Sequence, residues 1–190
     1  MISFQKQNFP SGGGKSEINP GMDLPSLKAF LHPSYPGRVV ILGIGNRLRG
    51  DDGAGPELVA RLKEKWEGDE IQDDLRGNRF FIDAEESPED WFIRVLELQP
   101  KVLIAVDAVA LQAEPGSVAV LEARTLPESL LFSTHRLPLR SLLKLWGEND
   151  CKTLVLAIQP ESLNFGQGLS RQVKQSINQL ISFLSPAPLD

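Results

Sequence analysis

The chain has 190 residues, of which 41% are apolar and 24% charged, and its formal net charge is −5. This composition is typical of a globular protein with one well-formed core. It excludes several classes. No dominant basic patch favours nucleic acid as a partner, the single cysteine Cys151 cannot form an internal disulfide, and no apolar run is long enough to span a membrane. We expect a cytoplasmic monomer that does not insert into membranes.

Residues 1–36 are rich in proline and glycine, which predicts a weakly ordered N-terminal extension with a short helix at Pro25–Leu31. Residues 37–186 are predicted to form a single α/β domain. Within the extension, Gly14-Lys15-Ser16 resembles the end of a phosphate-binding loop. That motif requires glycine where the chain has Phe9 and a strand ahead of it, so a nucleotide role is disfavoured.

The first predicted strand is the apolar run Val39–Ile44, whose continuous hydrophobicity indicates burial on both faces of a parallel sheet. A glycine-rich loop with two adjacent carboxylates, Asp51 and Asp52, follows it. Pro56 then lies at the first turn of a helix, where proline is well tolerated. The two acids are therefore expected at the carboxyl end of a strand, where open α/β sheets bind ligands.

Strands and helices alternate through the rest of the chain. Further strands are predicted at 79–83, 101–107, 117–121 and 152–158, and helices at 56–66, 88–96, 125–131, 137–146 and 173–184. Only about nine residues join the third and fourth strands, which is too few for a helical crossover. We predict a three-layer α/β/α sandwich around a mainly parallel five-stranded sheet, with an antiparallel fourth strand at or near an edge.

Chemically useful side chains lie at several of these strand ends. Asp107 ends the third strand and His135 lies in the loop before the helix at 137, while Asp51 and Asp52 follow the first strand. Because parallel strands bring their carboxyl ends to one edge, these side chains are expected to converge. Two carboxylates and one imidazole would form either a three-ligand metal site or an acid–base pair.

Other readings apply to some of these residues. One of Asp51 and Asp52 equally suits capping the following helix. Asp107 is harder to explain structurally, because burying an unpaired carboxylate after an apolar strand is costly. His32, in the proline-rich extension, is expected to be incidental, and Cys151 to be a buried structural thiol. The segment from Gly43 to Leu48 lacks the third glycine of a dinucleotide fingerprint.

Four segments together resemble a known family. They are Gly43–Gly55, Leu103–Ala108, Ser133–Leu139 and Ile158-Gln-Pro160. In order and spacing they resemble the motifs of the nickel–iron (NiFe) hydrogenase maturation endopeptidases, most closely the branch that processes the hydrogenase 3 (formate hydrogenlyase) large subunit. The resemblance spans residues 38–185.

The resemblance implies a function and a set of site residues. In the family, one carboxylate from the first motif, an aspartate from the second and a histidine from the third bind a metal; these correspond to Asp52, Asp107 and His135. The substrate is the precursor of the hydrogenase large subunit, which loses a C-terminal extension after nickel has been inserted. The expected metal is therefore nickel supplied by the precursor, with another divalent metal able to substitute.

The chain departs from the family at one place, and three candidate functions remain. Many relatives have a Gly-Gly pair where this chain has Glu85-Glu86, which concerns the neighbouring substrate-binding loop rather than the three ligands. The function favoured is an endopeptidase in which either a metal or a carboxylate activates water. The alternatives are a non-catalytic binding module for the metal-loaded subunit and, more weakly, a nucleotide-binding protein. Asp51 is expected to orient the loop or cap the helix.

Overall fold

A computed structural model describes residues 22–67, 78–125 and 139–186 of the chain. Within these ranges the helices are α1 (Leu24–Leu31), α2 (Ala54–Glu67), α3 (Phe92–Leu98), α4 (Leu139–Gly147) and α5 (Arg171–Leu184). The strands are β1 (Val39–Ile44), β2 (Arg79–Glu85), β3 (Val102–Ala108), β4 (Val118–Glu122) and β5 (Lys152–Ile158). Short 3₁₀ turns cover Gly50–Gly53, Pro88–Trp91 and Ala123–Thr125.

The five strands form one sheet in the order β2-β1-β3-β5-β4. Strands β2, β1, β3 and β5 run parallel, whereas β4 pairs antiparallel with β5 at the edge. The predicted fold class is confirmed, including the antiparallel edge strand. Strand β1 lies between β2 and β3, which explains its unbroken apolar sequence, since all six of its residues are buried.

Helices cover both faces of the sheet. On one face α1, α2 and α5 pack through buried residues such as Leu27, Leu58 and Ile177. On the other face lie α3 and α4, where the buried indole of Trp146 packs against Phe92 with ring centroids 5.6 Å apart. The three-layer arrangement leaves the carboxyl ends of the parallel strands at one edge, where the site is built.

The described part of the N-terminal extension is more structured than the sequence indicated. Asp23 caps α1, because its carboxylate accepts the N–H of Ser26 at 2.8 Å. Leu27 and Leu31 are buried in the same core as α5. Residues 22–36 therefore add a packed helix to the domain, while residues 1–21, including the Gly14-Lys15-Ser16 segment, lie outside the described residues.

Two helix starts differ from those expected. Helix α2 begins at Ala54 rather than Pro56, because the two acids lie in a 3₁₀ turn that runs directly into the helix. After β2, Pro88 opens a 3₁₀ turn and α3 follows only at Phe92; Ser87 makes no capping hydrogen bond with its side chain. The predicted helix at 125–131 lies beyond the described residues except for Thr125. None of the helices in the described ranges is long and apolar enough to cross a membrane.

Candidate active site

The loop that follows β1 is held close to the sheet by glycine. A Cβ atom at Gly43 would lie 2.6 Å from the carbonyl oxygen of Gly55, and one at Gly45 would overlap the carbonyl oxygen of Asp52. Gly45 also has φ of +130°, a backbone conformation that favours glycine. Any larger residue at Gly45 would force Asp52 away from the end of β1.

Asp52 is half-buried at this edge. Its Oδ2 accepts the backbone N–H of Asn46 at 2.9 Å, which fixes the direction of the carboxylate. The other carboxylate oxygen, Oδ1, takes no part in that hydrogen bond. The structure therefore orients Asp52 through a backbone contact at Oδ2, in a side chain that stays partly exposed at this edge.

Asp51 has a different role from its neighbour. It is fully buried, and its two oxygens accept backbone N–H groups from Glu161, Ser162 and Ser170 at 2.8, 3.2 and 2.6 Å. Its own N–H donates to the carbonyl of Ser162 at 2.9 Å. All of these partners lie in the loop between β5 and α5. Asp51 was expected to orient the loop that contains it or to cap the helix that follows. The structure shows that it joins this loop to the β5–α5 loop, next to the start of α5, and does not cap α2.

Asp107 lies at the end of β3, the strand next to β1, and only 7% of it is exposed. Burial and, to a smaller extent, the negative charge of Asp52 together raise the pKa of this carboxyl from 3.8 to about 7, although a hydrogen bond with the backbone of Ala108 opposes the rise. The contribution of Asp52 places the two carboxylates within electrostatic reach of each other. A carboxyl whose pKa lies near 7 can gain or lose a proton at neutral pH.

The third predicted residue is not described. His135 lies in residues 126–138, outside the described ranges, so its position relative to Asp52 and Asp107 stays a prediction. Within those ranges no three histidine, cysteine or acidic side chains come together in a way that would hold a metal ion. Asp52 and Asp107 supply carboxylate oxygens at this edge, and such oxygens are donors that divalent cations accept.

The remaining titratable candidates are structural. His32 ends α1, where its Nδ1 accepts the N–H of Ser34 at 3.2 Å and its carbonyl accepts from Arg79. Cys151 is buried at the start of β5, and burial raises the pKa of its thiol to about 11. Such a thiol stays protonated at neutral pH and is a poor nucleophile. These positions agree with the expectations that His32 is incidental to the site and that Cys151 is a buried structural thiol.

Two supporting contacts near the acids were not foreseen. Arg47 forms an ion pair with Asp83 at 2.6 Å, joining the β1–α2 loop to the end of β2. The side chain of Gln159 accepts the N–H of Leu111 at 2.6 Å and so holds the chain that follows Asp107. The sequence indicates only that Asp83 and Gln159 come at the ends of apolar strands. Their partners, Arg47 and Leu111, lie 36 and 48 positions away in the chain.

Comparison with known proteins identifies the family. The family model described as hydrogenase maturation protease (HycI) matches residues 56–186. The chain belongs to the hydrogenase maturation protease family. It is 29% identical over 138 residues to the hydrogenase 3 maturation protease of Escherichia coli K12, covering 73% of this chain and 83% of that protein.

Further relatives agree with this assignment. A putative hydrogenase maturation protease of Methanocaldococcus jannaschii is 31% identical over 149 residues, which is 77% of this chain and 86% of that one. The crystal structure of the NiFe hydrogenase maturation protease HycI from Thermococcus kodakarensis superposes with a TM-score of 0.68 at 26% identity, covering 84% of this chain and 98% of that one. As a member of this hydrogenase maturation protease family, the protein is a hydrolase.

Proposed function

We propose that this hydrogenase maturation protease removes the C-terminal extension from the nickel-loaded precursor of a NiFe hydrogenase large subunit. Family membership supports the reaction class. The observation that carries the proposal is the pair Asp52 and Asp107, held at the carboxyl edge of the sheet with Asp107 buried and its pKa raised to about 7. Perturbed acids at such an edge are typical of catalytic sites.

The nickel belongs to the substrate in this proposal. Asp52, Asp107 and His135 contact it when the precursor binds, and a nickel ion there would polarise the scissile carbonyl or a water molecule. Carboxylate and imidazole donors without a thiolate bind nickel weakly, so a precursor that brings its own metal fits the donors present.

The carboxylate pair supplies the protein's own chemistry. Before the precursor's nickel is bound, Asp107, whose pKa is raised to about 7, is the candidate proton donor, and Asp52 is the candidate acceptor of a proton from water. The two acids thereby divide the roles of general acid and general base. Replacement of Asp52 and removal of nickel from the precursor separate the contributions of the base and of the metal to activating the water.

We also propose that the protein acts as a cytoplasmic monomer.

The test is the mass of the precursor after incubation with the purified protein, with and without nickel in the precursor. We expect loss of a C-terminal fragment only from the nickel-loaded form. His135→Ala is expected to abolish cleavage with an unchanged thermal unfolding midpoint. Cleavage of both precursor forms at equal rates would remove nickel from the proposal. Normal cleavage by His135→Ala would remove that residue from the site, and stable association without mass loss would leave a binding module.

A further inference from the structure

Three large apolar side chains are exposed on the loops at the edge of the sheet that carries the acids. They are Leu48 in the β1–α2 loop and Leu163 and Phe165 in the β5–α5 loop, which are 61%, 41% and 75% exposed. We call them the apolar loop patch. Large apolar side chains this exposed, grouped on neighbouring loops, mark an interaction surface more often than isolated ones do.

The two loops are joined rigidly. The N–H of Gly166 donates to the carbonyl of Leu48 at 2.7 Å, and the N–H of Gly50 donates to the carbonyl of Gln167 at 3.0 Å. Beneath them the buried carboxylate of Asp51 accepts three N–H groups of the β5–α5 loop. The exposure of Phe165 is therefore a property of a fixed turn, and the loop keeps the ring in water.

The patch is continuous with the candidate active site. A series of hydrogen bonds leads from one to the other. Oδ2 of Asp52 accepts from the N–H of Asn46, Oδ1 of Asn46 accepts from the N–H of Leu48 at 2.7 Å, and the carbonyl of Leu48 accepts from Gly166, next to Phe165. Leu48 is therefore linked to Asp52 through a single residue, Asn46, so a polypeptide bound at Asp52 would have the patch beside it.

We propose that the apolar loop patch docks an apolar surface of the hydrogenase large-subunit precursor beside its cleavage point. This inference rests on the proposed function and adds the surface by which the protease selects a protein. We name the precursor as the partner because the patch lies beside Asp52, and the precursor is the polypeptide that binds at Asp52 in the proposed reaction. Aromatic side chains such as that of Phe165 are enriched in the buried centre of protein interfaces.

The test measures kcat and KM for cleavage of the full-length nickel-loaded precursor. The variant is the double substitution Leu163→Ser with Phe165→Ser, and we expect KM to rise about tenfold or more with kcat within about twofold. Phe165→Leu, which keeps an apolar anchor, is expected to retain most of the affinity. The control Leu145→Ser removes an apolar side chain that is 44% exposed on α4, near the amino ends of the strands, and should change neither constant.

Each other outcome is decisive. If the double variant unfolds at the wild-type temperature and keeps the wild-type KM, the docking proposal is wrong while the proposed function stands. A fall in kcat alone would show that the loop acts on the geometry of Asp52. Sedimentation of the wild type as a dimer that Phe165→Ser dissociates would assign the patch to a second copy of this chain. No cleavage by the wild type would remove the proposed function first.

Discussion

The N–H of Ser170 donates a 2.6 Å hydrogen bond to Oδ1 of the buried Asp51, across 119 positions of sequence. Ser170 is also the N-cap of α5, where its Oγ accepts the N–H of Val173 at 3.3 Å. The same carboxylate thus fixes the start of α5 and the turn that contains Asp52. Two adjacent aspartates have separate roles: one is an internal anchor and the other faces the site.

Replacing Asp51 by asparagine is expected to lower the free energy of unfolding by about 2 kcal/mol or more. An amide NH₂ would face backbone N–H groups that Asp51 now accepts, so at least one buried donor loses its partner. Urea denaturation measures the change. Asp150→Asn is the matched control, because Asp150 is an exposed carboxylate that pairs with Lys101 at the surface, and we expect a much smaller change there. Equal costs at both positions would contradict the anchoring role.

Replacing Gly45 by alanine is expected to damage catalysis. The new Cβ would overlap the carbonyl oxygen of Asp52, and φ of +130° adds strain of about 1–3 kcal/mol. Displacement of Asp52 should reduce precursor cleavage at least about tenfold. Gly168→Ala is the control, since a Cβ there meets nothing within 4 Å. Full cleavage activity in Gly45→Ala would show that the position of Asp52 is unimportant.

Much of this fold follows from the sequence, because its strands carry strong local signals. The apolar runs of β1 and β5 begin and end where they were predicted, and the short link ahead of β4 correctly indicated an antiparallel edge. The two acids after β1 and Asp107 after β3 were expected at one edge for the same reason. Each of these inferences depends only on residues near one another in the chain.

The features that the sequence did not reveal depend on distant partners. No local pattern indicates that Asp51 binds Ser170, or that α1, set among prolines, covers the core beside α5. The choice between Asp51 and Asp52 likewise needed either the family resemblance or the structure. A carboxylate beside a helix start caps, anchors or catalyses according to what the fold brings to it, and that information lies elsewhere in the chain.

Arg79 should prove important for stability although it is far from the acids. Its guanidinium donates to backbone carbonyls at the start of the domain, those of Leu31, His32, Tyr35, Gly37 and Asn78. Lysine has one donor group and cannot span this set, so Arg79→Lys is expected to cost about 1–3 kcal/mol of unfolding free energy. Arg61→Lys, where a partly exposed guanidinium contacts Glu57 and Asn178, should cost less than Arg79→Lys.

Both arginine variants are measured by urea denaturation, and precursor cleavage below the transition should be unchanged in each. The contacts of Arg79 join the segment after α1 to β2, so its loss should also increase hydrogen exchange in residues 31–37. Wild-type stability in Arg79→Lys would show that these carbonyls are satisfied equally well by solvent.

The buried carboxyl of Asp107 should make the stability of the metal-free protein depend on pH. Its pKa is raised from 3.8 to about 7 on folding, mainly by burial and then by the charge of Asp52. The folded state therefore holds a proton that the unfolded state has released, and this contribution to stability is fully present below about pH 4. It is lost as pH rises through about 7, by an amount on the order of 2–4 kcal/mol.

Asp107→Asn isolates this effect, because the amide is neutral at every pH and nearly the same size. With a chelator present, we expect the variant and the wild type to differ less in stability at pH 5 than at pH 8. At pH 8 the variant should be the more stable of the two, and it should fail to cleave the precursor at either pH. Parallel stability curves for the two proteins from pH 5 to 8 would show that Asp107 is ionised with little cost, and would leave the general-acid role without support.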